Sequence, residues 1–79
     1  MEPQDLYRLS EMVLSAARFA AEKGAHVRAR ELYGIALDGA RAVSDMTHGR
    51  TKEDNALHER AGILWRAAVS GAAKLTKTG

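Results

Sequence analysis

Apolar residues recur at three- and four-residue intervals in three stretches of the chain, the spacing that lines one face of an α-helix. In the first stretch the stripe is Leu6, Leu9, Val13, Ala16, Ala17 and Ala20, flanked by Met12 and Phe19. In the second it is Ala29, Leu32, Tyr33, Ala36, Leu37, Ala40 and Val43. In the third, Leu57, Ala61, Leu64, Ala68, Gly71 or Ala72, and Leu75 repeat at heptad-like spacing, with Trp65 beside them. These patterns predict helices over residues 4–23, 26–44 and 52–75.

The residues between the stripes predict where each helix starts and stops. Pro3 suits a first helical turn, and Glu2 and Asp5 favour the positive end of the helix dipole. Glu22-Lys23-Gly24 reads as an ending, with Gly24 free to take the left-handed conformation of a C-terminal cap. The link to the second helix is so short that helices one and two form an antiparallel hairpin. Small residues at 29, 36 and 40 let the two backbones approach closely. Ser44 to Arg50 breaks the period, and Asp45, His48 and Gly49 favour a loop there. Thr51-Lys52-Glu53-Asp54 resembles a capping box, with Thr51 accepting from the third helical amide. Residues 76–79 read as a polar tail or linker. The expectation is one domain over residues 1–79, an all-α antiparallel three-helix bundle.

Composition agrees with this reading. The chain has 79 residues, 46% of them apolar, and is rich in Ala and Leu with a single Pro. Ala and Leu lose little on entering a helix, whereas strands favour β-branched and aromatic residues. So short a chain builds a thin core with little room for a deep dry pocket. There is no Cys, which excludes disulfides and thiolate metal sites. No stretch approaches a membrane span, and the acidic, polar start is unlike a signal peptide. The expected location is therefore cytoplasmic.

The formal charge is +2, too balanced to point to nucleic acid. From Arg60 onward, however, Arg60, Arg66, Lys74 and Lys77 face no acid in the sequence. That bias leaves a weak nucleic-acid or anionic-surface binder as one alternative. A solvated basic face accounts for it as simply.

Catalytic signals are missing. His26, His48 and His58 show no metal-ligand spacing, and no metal or other cofactor is expected. His48 reads as a loop residue and His58 as solvated beside Glu59. Ser10, Ser15, Ser44 and Ser70 sit in no nucleophile motif, and the glycines form no phosphate-binding loop. The pair Glu53-Asp54 is explained by a helix N-terminus.

One local signature goes further. Gly24-Ala25-His26-Val27-Arg28-Ala29-Arg30-Glu31-Leu32-Tyr33-Gly34-Ile35-Ala36 resembles the hairpin of the microtubule-interacting and trafficking (MIT) domain. The glycine makes the turn, Ala29 fits where helices touch, and Tyr33 and Ala36 share a face. The pattern is also similar to a tetratricopeptide repeat, but an array needs several copies and only one is present. The MIT resemblance covers about Leu6 to Leu75.

It implies a non-catalytic adaptor that binds C-terminal tail peptides of ESCRT-III proteins. The adaptor would recruit a parent ATPase, kinase or protease to endosomal or other remodelling membranes. Contact with membrane would be indirect, and the domain itself monomeric. The tail would lie in a groove beside the third helix, held by helix-in-groove recognition. Family members often carry an acid followed by Arg-Ala there. Counting from Tyr33 without a gap places Arg66-Ala67-Ala68 at that point, so Arg stands where the acid would be. A seven-residue deletion would instead align Glu59-Arg60-Ala61-Gly62-Ile63-Leu64, at the cost of the full third helix. The resulting candidate partner-binding residues are Leu64, Trp65, Arg66 and Ser70, with Ala61 and Ala68 as groove floor.

Trp65 reads equally as a partner anchor or as a side chain at the core edge, whereas Phe19 reads as the latter. A self-associating helical module, burying Trp65 and the Ala-rich stripes against a second copy, is the other alternative.

Overall fold

The computed structural model describes residues 1–48 and 51–78, with side chains described through Leu75. Three helices make up the fold: α1 (Pro3–Glu22), α2 (His26–Met46) and α3 (Lys52–Thr78). They form an antiparallel three-helix bundle with extents of 42 × 20 × 14 Å. The middle helix α2 packs along both neighbours, while α1 and α3 meet only over a short stretch.

The predicted helix ends hold, with small differences. Pro3 opens α1, and Asp5 lies in its first turn. At the other end Gly24 has φ +81°. Its amide donates to the Ala21 carbonyl at 3.1 Å, and the Ala25 amide donates to the Ala20 carbonyl at 2.9 Å. These paired bonds are the Schellman motif, which satisfies carbonyls the helix leaves open. Ala25 then serves directly as the residue before α2, so the hairpin turn is as short as expected. The Asp54 amide donates to Thr51 Oγ1 at 3.0 Å, the predicted cap of α3.

Two ends differ. Asp45 and Met46, expected in the loop, lie in the last turn of α2. The helix persists because Thr47 Oγ1 turns back to donate to the Val43 carbonyl at 2.7 Å. Likewise Thr76–Thr78, expected as a tail, continue α3. Gly49 and Arg50 of the predicted loop, and Gly79 of the tail, lie outside the described residues.

The stripes of α2 and α3 are those expected. Ala29, Tyr33, Ala36, Ala40 and Val43 are buried on α2, and Ala61, Leu64, Ala68 and Leu75 on α3. On α1 the expected stripe is rotated. Leu9 is 45% exposed and Ala16 is also exposed, whereas Ser10 and Leu14 are buried with Ala17 and Ala20. Two glycines explain how the helices come so close. A Cβ on Gly39 would collide with Ser10 Oγ and lie 3.1 Å from Ser10 Cβ. A Cβ on Gly71 would enter the ring of Tyr33. Ser10 tolerates burial because its hydroxyl donates to the Leu6 carbonyl one turn back, at 2.8 Å. A small residue that satisfies its own polar group fits the contact with Gly39. A leucine at that position would hold the helices apart.

Candidate functional site

The antiparallel pairing of α2 and α3 leaves an open cleft of about 380 Å³ near the C-terminal end of α2. Its floor is small and apolar: Ala40 from α2, Ala61 and Gly62 from α3. Trp65 stands beside this floor, 43% exposed. Arg41 and Arg66 line the cleft from opposite helices, with Ser44 at one end. Among the described residues neither guanidinium is held in an ion pair. The cleft thus combines an aromatic wall, a shallow apolar floor and two positive charges. That is the chemistry of a surface that grips a side chain or a short helix and pairs with an acid at its rim.

Three candidate residues from the sequence meet in this cleft: Ala61, Trp65 and Arg66. The other three do not line it. Leu64 is 4% exposed and belongs to the core cluster with Ala68, so both hold α3 against its neighbours instead of facing a partner. Ser70 is exposed, but five residues from Trp65 is a rotation of about 140° around the helix. It therefore points away from the cleft. Ala40, Arg41, Ser44 and Gly62 were not among the sequence candidates. Gly62 had a signal, since it lies next to the core position Ala61. The α2 residues had none, because their place opposite Trp65 depends on the register between two helices.

One end of the cleft is pinned by a histidine. His58 Nδ1 lies 3.0 Å from the Ser44 carbonyl oxygen, 3.3 Å from Thr47 Oγ1 and 3.4 Å from Ser44 Oγ. A carbonyl only accepts, so Nδ1 carries the hydrogen in this arrangement. The ring of His48 stacks on His58 at 5.5 Å between centroids. His58 is thus half-buried and bonded to α2, not solvated beside Glu59 as the sequence suggested. Its N–H caps the C-terminal end of α2, where helix carbonyls lack partners.

A larger and wetter cleft, about 750 Å³, opens between the first turns of α1 and α3. Glu2, Glu11, Glu53 and Asp54 line it together with Arg8 and Arg60. Tyr7 in its wall donates to Glu11 Oε2 at 3.4 Å. Burial pushes the Tyr7 hydroxyl above its usual range, and the adjacent Glu11 carboxylate adds to the rise, while Arg60 opposes it. Charges of both signs make most of this lining polar, so water competes with a partner for its contacts more than in the Trp65 cleft.

Among the described residues, no three or more His, Asp or Glu side chains gather as a metal site. No helix there is long and apolar enough to cross a membrane. No protein family, characterised protein or solved structure matches the chain. The resemblance to MIT domains therefore rests on the hairpin residues Gly24 to Ala36 alone.

Proposed function

We propose that the chain is a non-catalytic protein-interaction module that holds a short peptide segment of another protein in the α2–α3 cleft. The observation that carries this reading is Trp65, left 43% exposed over an apolar floor of Ala40, Ala61 and Gly62. A half-exposed Trp beside small residues supplies a contact for an aliphatic side chain, and Trp is enriched among residues that dominate binding. Arg41 and Arg66 then select a peptide carrying an acidic residue beside its anchor.

The hairpin likeness to MIT domains makes ESCRT-III C-terminal tails the first ligands to try. In that case the module works in the cytoplasm and brings its parent protein to membranes under remodelling. The direct test is a heteronuclear NMR titration with a panel of such tails, including those with acids next to their Leu anchors. Saturable shifts centred on Trp65, Gly62 and Ala40 support the reading. A folded domain that shows no shift with any tail removes ESCRT-III as the partner. Shifts confined to the Tyr7–Arg60 groove move the site elsewhere.

A further inference from the structure

The side of the α1–α2 hairpin away from the Trp65 cleft carries an apolar face with nothing packed on it. Met12 is 63% exposed, Phe19 61% and Ile35 56%, and Leu9 and Met46 are also exposed. Helical geometry places Leu9, Met12 and Ala16 on the α1 side of this face and Ile35, Ala42 and Met46 on the α2 side. The two helices pack tightly there at Ser10 and Gly39, so the face is continuous across the hairpin. It runs about 25 Å along two helices about 8–10 Å apart. Contiguous exposed apolar patches on soluble domains are often interaction surfaces.

We propose that this face pairs with a second copy of the chain, about a two-fold axis that lies in the interface and crosses the helices. Charge selects the partner. Glu2 and Asp5 stand at one end of the α1 side, and Lys23 stands at the other, its ammonium 5.4 Å from the Phe19 ring centre. A two-fold axis near Met12 lays α1 against its own copy in the opposite direction. Lys23 of each copy then meets Glu2 and Asp5 of the other, and Leu9 meets Ala16. Arg28 continues the α2 side at the Lys23 end, and Glu31 and Asp38 lie on its rim, where they stay in water. An isologous contact needs a surface that complements itself, and this face does so in both shape period and charge. The parallel alternative would place acid on acid.

The pairing departs from the monomer that the sequence suggested, and it does not depend on the cleft reading. Because the cleft lies on the other side of α2, a dimer would present two clefts and gain avidity for a partner with repeated tails.

Sedimentation equilibrium of the full chain, from micromolar to millimolar concentration, tests the proposal. The mass is expected to rise toward twice the chain mass. Ile35→Glu and Met12→Glu, both at exposed positions, should each weaken the dimer at least about tenfold by placing an unpaired carboxylate in the contact. Circular dichroism should be unchanged. Lys23→Glu should weaken it as well, and the exchange of Lys23→Glu together with Glu2→Lys and Asp5→Lys should restore it. A chain that stays monomeric at millimolar concentration overturns the proposal. So does a dimer indifferent to both Ile35→Glu and Met12→Glu, which places the contact on another surface.

Discussion

The phenol ring of Tyr33 lies directly on the backbone of Gly71, so that α2 and α3 touch through a ring and a residue with no side chain. Tyr33 is buried within the core cluster. Gly71→Ala should therefore destabilise the fold by about 1–3 kcal/mol, because overpacking outweighs the better helix propensity of Ala. Gly39→Ala should act in the same direction through Ser10. Gly34 is also helical, but a Cβ there meets nothing within 4 Å. Gly34→Ala should stabilise by about 0.5–1 kcal/mol. Urea unfolding of the three variants measures all of these, and a gain in stability from Gly71→Ala would contradict the contact.

His58 links α3 to the last turn of α2 through the Ser44 carbonyl and Thr47 Oγ1. Replacing it with Ala removes the N–H and leaves a half-buried carbonyl without that donor. The expected loss is about 1–2 kcal/mol. His58→Asn, which keeps a donor, should recover part of it. Equal loss in both variants would mean that the ring's packing against His48, and not its hydrogen bond, holds the helices.

Tyr7 gives a signature in alkaline titration. Burial and the Glu11 carboxylate raise its ionisation above the ordinary value of 10.0. The folded state therefore keeps its phenol proton to higher pH than the unfolded chain does. The resulting stability is fully present below the unfolded value and is lost as pH rises through the folded one. Following tyrosinate absorbance in Tyr33→Phe protein isolates Tyr7. Glu11→Gln should lower its midpoint, and an unchanged midpoint would remove Glu11 as a contributor.

Trp65 reports on the cleft. Trp65→Ala should weaken a bound peptide by at least about 1–2 kcal/mol while the helical signal survives. Gly62→Leu, whose side chain would project over the floor, should weaken the same peptide without removing the Trp. Arg66→Glu should discriminate against peptides with acids. Intact affinity in all three, measured by calorimetry, would move the binding surface off this cleft.

Most of the fold was legible because local physics decides it. A Pro at the first turn, a Gly in the left-handed region and a Thr accepting from the third amide each act within a few residues of chain. The α2 and α3 stripes were legible for a similar reason, since one face of each helix carries apolar residues at unbroken helical spacing. Three of the candidate partner residues lie outside the cleft, two of them for one reason. Leu64 and Ala68 suit a groove as well as a core, and helical spacing alone does not say which.

The first helix shows where sequence stops. Leu9, Met12, Ala16 and Phe19 form one apolar stripe, and Ser10, Leu14, Ala17 and Ala20 form another beside it. By itself the sequence determined that this segment is a helix, that it ends at Gly24 and that it turns back into a hairpin. Only the tertiary structure decided which stripe faces inward. Burial goes to the stripe with the smaller side chain at the crossing, because Ser10 lets α1 approach Gly39 and bonds its own hydroxyl to Leu6. The same choice left Leu9 and Met12 outside, while the separate register between α2 and α3, which sequence alone does not fix, set Arg41 across from Trp65.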